Sequence, residues 1–343
     1  MEKQAPLMRV KIKDIAYHLP EQVVSNDLLR EENPTWDMGL VEERSGVVKR
    51  HISKESETAL DLAFQACEKL FSKNQEARNQ IDTILFCTQS PDYIMPPNSC
   101  ILHKMLKLPE QVFAFDFNLA CSGYTYGLGL AQGLIRSGAS KHVLFATADT
   151  YSKYIHKKDR SARVLFGDGA AVSWITASDS TQGIIDIQCA TSGEGYEKFI
   201  VPAGGCRMPK SKETALPRTD ASGNIRTLEH IQMDGIGILA FVNSKVPQQI
   251  RSILARNQLT VEDIDLFVFH QASKMALDSL TRLLKIKSEK VYQNLREVGN
   301  TVSASIPIAL KDALDNGKVS GGDKVLLSGF GVGLSWATAI MEV

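Results

Sequence analysis

The chain has 343 residues and a mass of 37.8 kDa, enough for one large α/β globule or two compact units. Hydrophobic residues make up 43% and charged residues 23%, and 39 basic residues balance 39 acidic ones. Bulk charge therefore gives no reason to expect a nucleic-acid or membrane-surface role. The amino terminus lacks the continuous apolar core of a signal peptide, and no window approaches the roughly 20 apolar residues of a membrane span. Six cysteines form no CxxC pair and no zinc-like cluster, so a reduced, cytoplasmic protein is expected.

Residues 10–16 read as a first strand, closed by His18-Leu19-Pro20, and Ser25-Asn26-Asp27 signals a helix start. Apolar residues at Leu60, Ala63, Phe64, Cys67, Leu70 and Phe71 give helical spacing over 57–71. Residues 81–88 suit a strand buried on both faces. Pro96-Pro97 breaks the chain before a helix over 99–106, and 112–117 is the strand that leads into Cys121. Beyond the helix after Cys121, strands are expected over 142–148 and 164–175, the latter turning at Gly167-Asp168-Gly169. A new strand opens near Gly183. Residues 203–226 are polar and rich in Pro, Gly, Ser and Thr, which suits a surface excursion or lid. A long helix over 235–257 precedes strands over 264–269, 290–294, 324–327 and 334–342.

Two segments repeat one plan. Cys121 in FNLACSGYTYGLGLAQGLIRSG and Asn300 in VGNTVSASIPIALKDALDNG each precede helical apolar spacing that ends on a glycine seventeen residues later, Gly138 and Gly317. Upstream, IDTILFC ending at Cys87 has a partner in IDLFVFH ending at His270. The chain reads as two pseudo-symmetric halves, 1–180 and 181–343, without a linker. Strands separated by helices imply mainly parallel sheets with helices on their faces. A pseudo-twofold arrangement brings Cys121, His270 and Asn300 together as a candidate catalytic site.

Cys121 sits between a strand and a helix start, where unpaired N–H groups and the helix dipole favour a thiolate. Gly123 and Ala120 leave room at the sulfur. His270 follows four apolar strand residues and projects from the carboxyl edge of a sheet, where α/β proteins place ligands. Asn300, alone, is an ordinary helix cap; its equivalence to Cys121 makes it a candidate donor to a developing oxyanion. Gly329-Phe330-Gly331-Val332-Gly333 is open to two readings: a plain hairpin turn, or a backbone loop in which Val332 completes an oxyanion hole with the N–H of Cys121. The glycines of 127–133 lie inside a helix, so close packing accounts for them better than a dinucleotide fingerprint.

The blocks LACSGYTYGL, VFHQAS, VGNTVSASIPIAL and GFGVGLSWATA, with FGDGAAV and RSGVVKRHI, closely resemble the β-ketoacyl-acyl-carrier-protein synthase III group of the thiolase-like superfamily. The resemblance runs from about Val10 to Val343. It implies an αβαβα five-layer fold, a homodimer, and a Cys121–His270–Asn300 triad that needs no metal or redox cofactor. It also implies acyl-CoA or acyl-carrier primers and malonyl-acyl carrier protein as substrates. By the same resemblance Arg44, Arg160 and Lys274 contact the coenzyme, and Met95 stands in the loop that shapes the primer pocket. The chain departs from the family in three places. Leu40 replaces the tryptophan that stacks on adenine, with Trp36 four residues upstream. Met275, beside Lys274, replaces an arginine. Met95 stands where acetyl-preferring enzymes have phenylalanine. An unusual primer and an altered coenzyme grip are expected. Competing readings are an acyltransferase or secondary-metabolite ketosynthase of the same fold, a cysteine hydrolase, and a silent subunit.

Overall fold

The computed structural model describes residues 8–343; the first seven residues of the amino-terminal segment discussed above lie outside them. Nine principal strands form two mixed sheets. The first contains β1 (Val10–His18), β2 (Thr83–Cys87), β3 (Phe113–Phe117), β4 (His142–Asp149) and β5 (Gly169–Ala177), in the order β1-β5-β4-β2-β3. Strand β2 runs parallel to both β3 and β4, whereas β5 is antiparallel to β4 and to β1. The second contains β6 (Gly183–Thr191), β7 (Leu266–Phe269), β8 (Lys324–Gly331) and β9 (Ser335–Glu342), in the order β7-β8-β9-β6. Only β7–β8 is parallel there.

The two orders correspond strand for strand. β1, β5, β4 and β2 match β6, β9, β8 and β7, and the place of β3 is taken by a single parallel bridge between Phe267 and Val291. The strand expected over 290–294 is therefore reduced to one residue. The expectation of mainly parallel sheets is also corrected. Each half takes its opening strand antiparallel onto the strand that closes it, so each sheet is mixed.

Six helices complete the layers: α1 (Ala59–Lys73), α2 (Asn98–Leu106), α3 (Gly123–Arg136), α4 (Gly235–Arg256), α5 (Lys274–Leu284) and α6 (Ser305–Asp315). Tyr124, Leu128 and Ala131 of α3 share one core with Ile306, Ala309 and Leu310 of α6. That core also takes Leu85 and Val143 from the first sheet and Val268 and Leu327 from the second, so α3 and α6 form the middle layer. Burying each large aliphatic side chain there contributes about 1.5–3 kcal/mol. Helices α1 and α2 cover the outside of the first sheet, and α4 and α5 the outside of the second. The result is a five-layer αβαβα, thiolase-like fold. Inside α3, a Cβ at Gly127 would fall 2.0 Å from the Phe145 ring, so glycine is what lets this helix lie on β4.

The strand expected from residue 164 begins only at Gly169. Before it, a short helix Arg160–Arg163 leads into irregular chain, because the Asp168 carboxylate turns inward. It accepts from the Ser53 N–H at 2.8 Å, the Ser53 hydroxyl at 2.7 Å and the Ser152 N–H at 3.0 Å. Within the excursion at 203–226, Arg218–Thr219 pairs with Ile225–Arg226 as a small hairpin.

Candidate active site

Cys121 lies in the turn from β3 to α3, two residues before the helix begins at Gly123. It is buried with Ala120, Tyr151, Phe166, Phe199 and Val302. Two glycines of β8 press on it from the other half. A Cβ at Gly329 would lie 2.5 Å from the Cys121 carbonyl oxygen, and one at Gly331 would lie 3.0 Å from the sulfur. Gly329 is thus required by the backbone of Cys121, and Gly331 by its side chain.

The surroundings of the sulfur oppose the expected thiolate. Burial, and then the Asp149 carboxylate, push the Cys121 thiol well above the ordinary cysteine range, against a lowering by its own N–H. One further expectation is corrected beside it. The space at Gly123 is occupied by the Cys87 sulfur, 2.3 Å from where a Cβ would stand, and is not free for substrate. Cys87 itself donates to the Leu119 carbonyl at 3.1 Å and belongs to the central core.

His270 is the first residue after β7 and is buried. Its Nδ1 meets the Ser305 hydroxyl at 2.6 Å, and its Nε2 stands 3.4 Å from the Asn300 Nδ2. Burial pushes the imidazole down to about 3, so the ring is neutral across the physiological range.

Asn300 is presented by an irregular turn. The Val302 N–H donates to the Asn300 Oδ1 at 2.9 Å, which fixes the amide with its nitrogen toward His270. Val302 holds φ 54°, a left-handed conformation that a β-branched residue rarely adopts. The Asn300 backbone is stitched to the first half: its N–H donates to the Leu165 carbonyl at 2.9 Å, and its carbonyl accepts from the Gly167 N–H at 3.0 Å. A 3₁₀ turn, Val302–Ala304, then separates Asn300 from α6, so the match to Cys121 is close without being residue for residue.

Cys121, His270 and Asn300 all line one cavity of about 580 Å³, with Phe330 and Gly331 beside them. Arg44 lines it too. Arg160 does not, although its neighbour Ser161 does. Lys274 pairs with Asp278 and faces a separate groove with Glu42, Glu43 and Arg296, while Met275 faces the cavity. Met95 is 78% exposed on the outer surface and contributes nothing to this chain's own cavity. Trp36 packs with Val24, Leu29, Met38 and Val164, so it is no replacement for the tryptophan absent at Leu40. Val332 packs against the Cys121 cluster, and its carbonyl accepts from the Ser335 hydroxyl at 2.7 Å.

Three features escaped the sequence reading. Ser305 lies five residues beyond Asn300, inside the same motif, and a histidine needing orientation was the available signal. Asp149, at the end of β4, gathers the Gln89 N–H at 2.8 Å and the Ser303 hydroxyl at 2.5 Å, joining three segments behind the site. Burial raises its carboxyl to about 7. The third is the hairpin at 218–226, which lines the cavity through Asp220, Ser222, Asn224 and Arg226.

This duplicated layering, with one buried thiol lining the same cavity as a neutral imidazole and a carboxamide, places the protein among the thiolase-like condensing enzymes. Residues 115–193 match the family model for 3-oxoacyl-[acyl-carrier-protein (ACP)] synthase III, and residues 254–343 match the model for its C-terminal part. The chain is 36% identical over 337 residues to a β-ketoacyl-[acyl-carrier-protein] synthase III of Campylobacter curvus, covering 98% of this chain and 97% of that one. A crystal structure of a 3-oxoacyl-(acyl-carrier-protein) synthase III superposes with a TM-score of 0.95 at 43% identity, covering 98% of this chain and 100% of the other. A 3-oxoacyl-(acyl-carrier protein) synthase from Burkholderia xenovorans LB400 gives a TM-score of 0.90 at 32% identity, over 98% and 95% of the two chains. The chain belongs to the β-ketoacyl-acyl-carrier-protein synthase III family, whose members are acyl-transferring condensing enzymes.

Proposed function

We propose that Cys121 takes an acyl group from a pantetheine thioester and that the enzyme condenses it with malonyl-acyl carrier protein, giving a 3-ketoacyl thioester. The observation that carries the residue roles is the pair of nitrogens, His270 Nε2 and Asn300 Nδ2, 3.4 Å apart in the cavity that holds the Cys121 sulfur. In the first half-reaction the sulfur–acyl bond forms as the donor's carbon–sulfur bond breaks, and the Cys121 proton leaves on the donor thiol. Splitting the reaction at a covalent intermediate replaces one difficult step by two easier ones.

In the second half-reaction the malonyl carboxylate leaves as carbon dioxide, and its bonding pair passes into the thioester as an enolate. With Ser305 donating to Nδ1, the ring proton sits on Nε2, so His270 and Asn300 each aim one neutral N–H at the enolate oxygen. Two neutral donors avoid a cation that would hold the malonyl carboxylate and oppose its loss. The enolate carbon then attacks the acyl carbon on Cys121. The N–H groups of Cys121 and Val332 receive the resulting oxyanion, and collapse expels the sulfur.

A homodimer fits the surface. Strand β3 ends the first sheet with an unpaired edge, and Phe113 on it is exposed. Upstream of it, before α2, the segment Tyr93-Ile94-Met95 is 60%, 94% and 78% exposed, and covering it with a second copy is the arrangement that would bring Met95 to a primer pocket. Among the described residues, no helix is long and apolar enough to cross a membrane. Six free cysteines, with the nucleophile among them, suit a reducing cytoplasm.

The test is intact-protein mass spectrometry. Incubation with acyl donors is expected to add one acyl mass to Cys121, which malonyl-acyl carrier protein then releases as ketoacyl product. Release to water alone would make the protein a hydrolase, and release to a hydroxyl or amine a simple acyltransferase.

A further inference from the structure

Asp149 takes no part in the two half-reactions above, yet it is fully buried, and among the described residues no Lys, Arg or His pairs with it. Its partners are neutral. The Asp149 Oδ1 accepts from the Gln89 N–H at 2.8 Å and lies 3.4 Å and 3.5 Å from the Thr88 and Ser90 hydroxyls. Its Oδ2 accepts from the Ser303 hydroxyl at 2.5 Å and from the Ser303 N–H at 3.3 Å. Holding a carboxyl in the interior on neutral donors alone costs stability. Departures of that kind gather at functional sites.

Ser303 is the middle residue of the turn Val302–Ala304, between Asn300 and α6. Neither that turn nor α6 has a side-chain cap of its own, so the Asp149 carboxyl, arriving from the first half, takes the place of one. One residue before Ser303, the Val302 N–H fixes the Asn300 amide; two residues after it, the Ser305 hydroxyl meets His270 Nδ1. Val302 reaches Asn300 only by holding its φ of 54°, which the chain gives up unless it is held. A single clamp at Ser303 therefore secures the groups behind both nitrogens. The far end of the clamp is itself seated: the Gln89 side chain accepts from the Tyr151 hydroxyl at 2.5 Å and donates to Asn118 at 2.8 Å.

Resting on the condensing reading above, we propose that Asp149 is a positioning residue for malonyl decarboxylation, holding the 302–305 turn through Ser303 so that His270 and Asn300 present their N–H groups to one oxygen. It acts through that turn alone, since it does not line the cavity. The first half-reaction does not depend on the clamp, because Cys121 is seated by Gly329 and Gly331 of β8. The charge of Asp149 even works against loading, as it helps to push the Cys121 thiol up. Its loss therefore slows one half-reaction and spares the other.

The experiment follows carbon dioxide release from malonyl-acyl carrier protein and, separately, acyl loading of Cys121 by intact mass. Ser303→Ala removes the hydroxyl from the clamp, and decarboxylation is expected to fall about tenfold, with loading within a few-fold of native. Asp149→Asn keeps an oxygen on the Gln89 N–H and turns an amide N–H toward the Ser303 N–H. Decarboxylation is expected to fall by a similar factor, and loading to be no slower than native. Both variants break one link, so the double variant is expected to match the slower single one within a few-fold. The ¹⁵N signals of the His270 ring should shift in Ser303→Ala as the Ser305 hydroxyl is re-aimed, which lost stability alone would not cause. Decarboxylation unmoved by Ser303→Ala, equal loss of both steps, or additive losses in the double variant would each overturn the proposal and leave condensation intact. A native enzyme that neither loads Cys121 nor releases carbon dioxide would sink the condensing reading, and this role with it.

Discussion

The Nε2 of His270 and the Nδ2 of Asn300 stand 3.4 Å apart, too far for a strong mutual hydrogen bond and well placed to share one oxygen between them. Each is fixed from behind, His270 by the Ser305 hydroxyl and Asn300 by the Val302 N–H. Neither nitrogen is free to turn away, so the pair is organised before substrate arrives.

Removing one of the two donors separates the half-reactions. Asn300→Ala is expected to leave acyl loading of Cys121 within a few-fold of native and to slow malonyl decarboxylation by about 10²–10³. Loading followed by mass, and carbon dioxide release followed separately, check this. Equal loss of both steps would contradict the assigned roles.

Ser305 acts through His270. Ser305→Ala frees the imidazole to place its proton on either nitrogen, and decarboxylation is expected to fall about fivefold, since a neutral hydrogen bond contributes about 1 kcal/mol. Ser305→Thr keeps the hydroxyl and should restore most of the rate. The position of the ring proton, read from ¹⁵N chemical shifts of His270, should shift in Ser305→Ala and return in Ser305→Thr.

The glycines of β8 separate stability from chemistry. At Gly329 a methyl group would meet the backbone of Cys121 and Ser122, and Gly329→Ala is expected to cost about 1–3 kcal/mol in denaturant unfolding. At Gly331 the nearest atoms are the Cβ and sulfur of Cys121, both 3.0 Å away. Gly331→Ala is therefore expected to slow acyl loading by at least about tenfold through displacement of the sulfur, with a smaller effect on stability.

Two buried groups tie stability to pH with opposite signs. His270 falls from 6.5 to about 3 on folding, so the unfolded chain binds more protons between those values and stability is lost as pH falls through that window. Asp149 rises from 3.8 to about 7, so the folded chain binds more protons between those values and stability is lost as pH rises through them. Asp149→Asn removes the second slope and keeps the first. The stability of native protein relative to Asp149→Asn is expected to be greater at pH 5 than at pH 8, by a few kcal/mol at most. Denaturant midpoints of the two proteins at both pH values check the sign.

The convergence of Cys121, His270 and Asn300 on one cavity was legible because the three positions follow local patterns, each a β-rich run ending in a turn, and because two runs repeat along the chain. Cys121 and Asn300 each announce a helix that packs in the middle layer, and that periodicity survives in sequence. The ionisation of Cys121 was not legible. Desolvation sums over Tyr151, Phe166, Phe199 and Val302, which come from segments far apart in the chain. The mixed sheets also escaped, since strand direction depends on connections that composition does not mark. The loss of the strand expected at 290–294 follows from Lys290, whose ammonium reaches the Glu262 and Ile264 carbonyls while the chain touches Phe267 at one residue only. Likewise, Asp220 and Arg226 lie in a polar stretch whose composition marks a lid but not which carboxylate faces the cavity.

The main-chain stitches from Asn300 to Leu165 and Gly167 bear on how the chain can be divided. A break between 177 and 183, outside both sheets, would leave each fragment with whole strands and helices. Yet the amino-terminal piece would hold the sulfur without its carboxamide, and the carboxy-terminal piece would lack the partners that set its carboxamide in place. Turnover should return only when the two fragments are mixed and refolded together, which makes complementation a direct assay of the seam.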